Sequence, residues 1–208
     1  MLRKYAIASL MTFAVASTAS ANVLVNSGFE SGDLTGWTVA GNAPLGFGVG
    51  TAGKILPSGY YGTSKIVVGS GNYAFWVMSR NLLGEFIDLS QTVDLSGGTY
   101  NIGFTYGSNQ GPFGNATSIF LDGKQIASGS GNIINGLQTE TAQQLISAGT
   151  HTFTFHLAGS GTVALPLSAD NFYVSNINGD AVVPEPGSIA LLGLGLLGMG
   201  AMLRKGRR

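Results

Sequence analysis

Through the middle of the chain, polar and apolar side chains alternate at every second position. Thr150-His-Thr-Phe-Thr-Phe-His-Leu157 sets Thr against aromatic residues, and Thr99-Tyr-Asn-Ile-Gly-Phe-Thr-Tyr106 does likewise. Side chains on a strand point to opposite faces in turn, so this period predicts half-buried β-strands. Ser118-Ile-Phe-Leu121 meets Lys124-Gln-Ile126 across Asp122-Gly123, and both turn positions of such a two-residue hairpin must accept positive φ. Further strands are predicted at 23–26, 65–68, 72–78, 86–93 and 171–177. No window in this region has a helical period, and Thr139 to Ser147 has no clear period at all. Many short antiparallel strands separated by glycine turns predict an all-β chain, a β-sandwich of jelly-roll form.

The two ends break the alternation. Arg3 and Lys4 precede a largely apolar run over 5–17, and Ala19-Ser20-Ala21 has the small-x-small form of a cleavage site, so 1–21 reads as a signal peptide. At the other end Ser188 to Leu203 is free of charge and is followed at once by Arg204, Lys205, Arg207 and Arg208. An apolar run of this kind, short for a span of ~30 Å, predicts a single transmembrane helix over 188–203. The basic cluster would stop it on the cytoplasmic side. The domain between, 22–183, is then placed outside the inner membrane. Pro184 and Pro186 fix φ and remove backbone donors, so no helix or strand runs through them, and they make a stiff spacer.

Composition narrows the classes further. Of 208 residues 33 are Gly and none is Cys, which excludes disulfide scaffolds and thiolate zinc sites. Glycine in that amount without a strict triplet period excludes collagen. The formal net charge is zero, but the layout is uneven. Between 22 and 183 four basic residues (Lys54, Lys65, Arg80, Lys124) stand against nine acidic ones, leaving that region at −5. Gripping a phosphate backbone requires clustered Lys and Arg, so nucleic acid is excluded as a partner.

Val183-Pro184-Glu185-Pro186, the apolar Gly/Leu segment and the Arg-rich end together resemble the PEP-CTERM sorting signal of Gram-negative bacteria, over 184–208. That resemblance implies export, temporary anchoring in the inner membrane, and processing by an exosortase-type enzyme toward the cell surface or extracellular matrix. It does not identify a ligand for the domain.

A second resemblance covers the domain through short motifs. Asn26-Ser-Gly-Phe-Glu30 with Gly36-Trp37, Leu89-Ser-Gln-Thr-Val93 with Gly98-Thr-Tyr100, and Ala169-Asp170-Asn171-Phe172 look like the carbohydrate-binding-module type of galactose-binding-like jelly roll. In that family the opening Glu and closing Asp often meet at a structural calcium ion, which makes Glu30 and Asp170 candidate ligands. Calcium wants six to eight oxygens, so backbone carbonyls would complete the shell. The alternative is that Glu30 caps a turn and Asp170 hydrogen-bonds a loop.

Sugar recognition needs aromatic faces for pyranose C–H surfaces and amides for hydroxyls. Tyr60, Tyr61, Trp76, Tyr106 and Phe113 are the candidate rings, with Asn109 and Gln110 close by, and the loop-rich stretches 40–62 and 107–116 are where such a site would be built. Each ring has packing as its alternative, and Trp37, behind Gly36, reads as core. Catalysis has less support. His151 and His156 are five apart on one strand and face opposite sides, no Ser stands in a Gly-x-Ser-x-Gly elbow, and no carboxylate pair has a telling spacing. The expected function is a non-catalytic exported protein associated with extracellular polysaccharide. A structural matrix protein without a discrete ligand and a glycan hydrolase are the alternatives.

Overall fold

Two strands of unusual length organise the domain. The computed structural model describes residues 21–43, 45–56, 64–79, 84–108, 114–132, 136–158 and 165–177. The strands are β1 (Thr38–Gly41), β2 (Phe47–Thr51), β3 (Ile55–Leu56), β4 (Ser64–Lys65), β5 (Tyr73–Ser79), β6 (Phe86–Ser108), β7 (Gly114–Leu121), β8 (Lys124–Asn132), β9 (Gly136–Ala158) and β10 (Leu165–Asn176). β6 and β9 each run for 23 residues and pair antiparallel along nearly their whole length, from Phe86↔Ala158 to Ser108↔Gly136. Both carry glycine in a left-handed or related φ near the midpoint, Gly97 (83°), Gly98 (139°) and Gly149 (139°). An L side chain rarely adopts such a φ, so these glycines mark where the ladder bends.

The bend divides one hydrogen-bonded sheet into two layers. In the first, the order β2-β5-β10 continues into 98–108 of β6 and 136–146 of β9. In the second, β1 pairs 87–90 of β6, while 153–158 of β9 pairs β7, and β7 pairs β8. Phe155 of the second layer and Phe172 of the first are not strand neighbours, yet their ring centroids stand 4.9 Å apart, edge to face. Phe104 stacks on Phe172 at 5.1 Å, and Trp37 meets both Phe155 and Phe172. The layers therefore close on an aromatic core, and the all-β sandwich expected from the alternation is what forms. Thr152, Thr154 and His156 turn outward while Phe153, Phe155 and Leu157 are wholly buried.

The hairpin at Asp122-Gly123 is present with φ of 50° and 78°, and Trp37 is core, its indole N–H donating to the Asn26 carbonyl at 3.0 Å. Thr139 to Ser147 is strand, within β9. Two predicted strands are corrected. Residues 23–26 form no strand: one bridge at Asn22↔Ser175 is followed by a turn over 25–28, where Asn26 takes a φ of 49° that ends an extended chain. Of 65–68 only Lys65 is strand, since the Val67 N–H donates to the Ser168 hydroxyl and not to a neighbouring strand. The stretch 40–62, expected as loop, contains β2 and β3. No helix among the described residues is long and apolar enough to cross a membrane. The expected signal peptide up to residue 20, the spacer, the helix at 188–203 and the basic end lie outside the described residues.

Candidate functional site

The outer face of the first layer has an open floor. On β6 the even positions Tyr100, Ile102, Phe104 and Tyr106 point into the core, so Asn101, Gly103 and Thr105 point out. Gly103 lies opposite Tyr173 of β10. A Cβ built on Gly103 would come within 2.5 Å of the Tyr173 hydroxyl and 2.6 Å of its ring. The hydroxyl end of the tyrosine ring therefore occupies the space over a strand position that has no side chain. Beside it, Gln143 Nε2 of β9 donates to Asn101 Oδ1 at 3.1 Å. Asn101, Thr141, Ala142, Gln143 and Tyr173 line an open cavity of about 470 Å³. Burial raises the Tyr173 phenol above its ordinary value, so it stays protonated and can donate across the physiological range.

Trp76 of β5 lies on the same outer face, over Gly48 of β2 and Gly46 just before it. Cβ atoms on Gly46 and Gly48 would each meet its ring at 3.5 Å. It packs with Leu45, Ile66 and Val68 in a small second cluster, and its indole N–H is buried with no partner among the described residues. Trp76 shares the face but not the cavity. Tyr106 is placed otherwise: only 3% exposed, it packs tilted against Phe104 at 5.4 Å inside the sandwich and offers no platform. Strand parity decides this, since Tyr106 shares the inward register of Ile102 and Phe104. Tyr60, Tyr61, Asn109 and Phe113 lie outside the described residues.

Asn101, Gln143 and Tyr173 were missed by sequence reasoning. The parity of Thr99 to Tyr106 already turned Asn101 outward, but a register shift between Asp170 and Tyr173 hid the direction of Tyr173.

Glu30 and Asp170 do come together, around the loop at 69–73. Asp170 Oδ2 accepts from the backbone N–H of Gly69 (2.9 Å) and Ser70 (3.1 Å), and Oδ1 from that of Asn171 (2.7 Å). Glu30 Oε1 accepts from Asn72 and Tyr73 N–H at 3.0 Å, and Oε2 from Asn72 at 3.1 Å. A Cβ on Gly28 would touch both side chains, at 3.6 Å from Asp170 Oδ1 and 3.9 Å from Glu30 Cγ. Desolvation raises the Asp170 carboxyl above the usual range, the amide donors pull it down, and the like charge of Glu30 adds to the rise. Asp170 Oδ1 and Glu30 Oε2 each take a single N–H, so a carboxylate lone pair remains on each. That donor set fits a hard cation as two side-chain ligands of a larger oxygen shell. Among the described residues no group of three or more His, Cys, Asp or Glu comes together.

The two histidines do not converge. His151 Nδ1 is 2.8 Å from Asp122 at the hairpin, with Nε2 at 3.0 Å from the Ser147 carbonyl. The hydrogen bond to Asp122 raises the His151 pKa, and Thr152 N–H with His151 lowers that of Asp122. His156 Nδ1 meets Asp88 at 2.7 Å on the outer face of the second layer.

With this geometry established, comparison with known proteins divides the chain in two. A search of curated proteins finds no match. Among solved structures the sandwich is similar in fold to TmCBM61, determined in complex with beta-1,4-galactotriose, at 23% identity and a TM-score of 0.54, covering 74% of this chain and 98% of that one. The C-terminal family 22 carbohydrate-binding module of Clostridium thermocellum Xyn10B also matches, at 14% identity and a TM-score of 0.48, covering 79% of this chain and 100% of that one. Residues 182–208 match the PEP-CTERM protein-sorting motif, and the chain thus combines a β-sandwich like those of carbohydrate-binding modules with a PEP-CTERM sorting end.

Proposed function

We propose that this chain is an exported, non-catalytic envelope or extracellular protein whose sandwich, a jelly roll, holds extracellular polysaccharide on the outer face of its first layer. The observation that carries this reading is the Tyr173 ring lying over Gly103 beside the hydrogen-bonded amides of Asn101 and Gln143. A pyranose presents C–H groups on one face and hydroxyls around its rim. The ring takes the first by stacking, and the amides and Thr141 take the second. A volume of about 470 Å³ lies in the range of ligand pockets, roughly 300–1,000 Å³. The galactotriose bound by TmCBM61 makes β-1,4-linked galactan the first glycan to test.

Export rests on the sorting motif at 182–208. In this reading 1–21 is the signal peptide, 188–203 anchors the chain in the inner membrane, Arg204, Lys205, Arg207 and Arg208 stop it there, and an exosortase-type enzyme processes it. Calcium belongs to the same proposal. Glu30 and Asp170 would hold it together with backbone carbonyls, and when bound it would offset their mutual repulsion and clamp the loop at 69–73. A glycan array on residues 22–183 tests the binding: discrete hits weakened by Tyr173→Ala are expected, and silence across the array leaves the structural matrix protein as the better reading. Melting with and without chelator tests calcium, since a ligand that binds only the native state adds about 2.7 kcal/mol at a hundredfold excess over Kd. An unchanged melting temperature removes the metal.

A further inference from the structure

The first half of β9 is a sheet edge. β6 pairs one side of it from Gly136 to Ile146, while β7 pairs the other side only from Phe153 to Ala158, so among the described residues no strand meets the second edge of 136–148. Long exposed edges are usually protected by Lys, by Pro, by a bulge or by an inward-pointing charge. This one has no Pro and no Lys or Arg, and its single charge, Glu140, is turned inward, where Thr117 and the Gly129 N–H hold it. Its outward row is Leu137, Thr139, Thr141, Gln143 and Leu145, and the two leucines at its ends are 39% and 81% exposed.

The two leucines are placed symmetrically about Thr141. We propose that two copies of this chain pair edge to edge, antiparallel, through 137–145 of β9, with Thr141 opposite Thr141 across a twofold axis. In this register each Leu137 lies opposite the other copy's Leu145, and each Thr139 opposite Gln143. Cross-strand partners of this kind sit with Cβ atoms about 4.5–5.5 Å apart, close enough to cover both leucines. The register also sets Glu140 opposite Ala142, whereas centring one residue earlier would bring two buried carboxylates face to face. Shifting the centre either way separates the leucines, so the apolar pattern selects a single pairing. The contact is isologous and closes at two copies, which distinguishes it from open-ended edge aggregation. A twofold at Thr141 also brings the two cavities side by side, but the pairing itself does not depend on what they bind.

The absence of cysteine makes the test direct, because any thiol introduced into the full-length chain is unique. Directly opposed residues of an antiparallel pair lie within disulfide range, so Thr141→Cys is expected to form a covalent dimer under mild oxidation, at least about tenfold more than Gln143→Cys alone. Gln143→Cys mixed with Thr139→Cys should restore the cross-link, since those positions oppose each other. Adding Leu145→Lys to Thr141→Cys should abolish it while circular dichroism stays that of a β-sandwich. Sedimentation of the full chain in non-ionic detergent is the second readout, with a dimer expected for the natural sequence and a monomer for Leu145→Lys. Equal cross-linking at 141 and 143, no dimer for the natural sequence, or a dimer that survives Leu145→Lys would each overturn the proposal.

Discussion

The outer faces of the two layers are built from the same two long strands and behave in opposite ways. On the second layer β6 and β9 form a ladder of paired polar groups: His156 with Asp88 at 2.7 Å, Ser90 with Thr154 at 2.9 Å, Thr92 with Thr152 at 2.8 Å, and Thr150 donating to Asp94. Each hydroxyl or carboxylate of these four pairs finds its partner directly across the sheet. On the first layer the same strands present Gly103 and the Asn101–Gln143 pair beneath one tyrosine ring. A face that satisfies its own polar groups offers little to a ligand. A face whose outward amides border an open cavity leaves room and hydrogen-bonding capacity for one.

The strongest way to break this contrast is to fill the floor. Gly103→Ala sets a Cβ against the Glu140 carbonyl as well as the Tyr173 ring, and backbone cannot swing aside as a side chain can. A cost of about 1–3 kcal/mol is expected by thermal melting, together with loss of glycan binding. Next is Tyr173→Ala, expected to weaken glycan binding about tenfold, or roughly 1.4 kcal/mol, in a titration where His156→Ala on the opposite face changes nothing. Equal losses for the two variants would abolish the distinction between the faces.

Glu140 sharpens the contrast from inside. It belongs to the strand whose outward residues line the cavity, but its own side chain is buried, with Oε1 unpartnered among the described residues, and desolvation raises its pKa. A carboxyl that holds its proton more tightly in the folded chain contributes stability that is complete below the unfolded value, near pH 4. That contribution is lost as pH rises through the folded value. Glu140→Gln should therefore raise stability at pH 7 by about 1 kcal/mol, a shift of some 2–4 °C for a domain of this size, and do nothing at pH 3. Glycan binding should be unchanged, because the inner and outer faces of the strand are separate. The smallest effect belongs to the ladder: Thr92→Val with Thr152→Val removes both partners of one exposed hydrogen bond and should change stability by less than about 0.5 kcal/mol. A larger loss would mean that the second face is structurally essential rather than merely self-satisfied.

How far each region could be read depended on whether its signal was local. The period of two placed β5, most of β6, the second half of β9 and the end of β10, and Asp122-Gly123 placed its hairpin, because alternation and turn chemistry act between near neighbours. The cavity was not readable in this way. Asn101 and Gln143 are 42 residues apart and become partners only through the β6–β9 register. Tyr173 faces outward only because the strand shifts register after Asp170. Tyr106 looked like a binding ring because aromatic residues serve cores and platforms alike, and inward parity assigned it to the core.

The sequence by itself determined the all-β class, the core role of Trp37 and the sorting motif at 182–208, since each depends on residue type at fixed short spacing. Only the tertiary structure decided which face carries the cavity, how Glu30 and Asp170 share one loop, and that the first half of β9 is an edge among the described residues. The physical reason is the bend at Gly97, Gly98 and Gly149. It sends one continuous pair of strands through two layers, so residues with the same local pattern acquire different neighbours on either side of it.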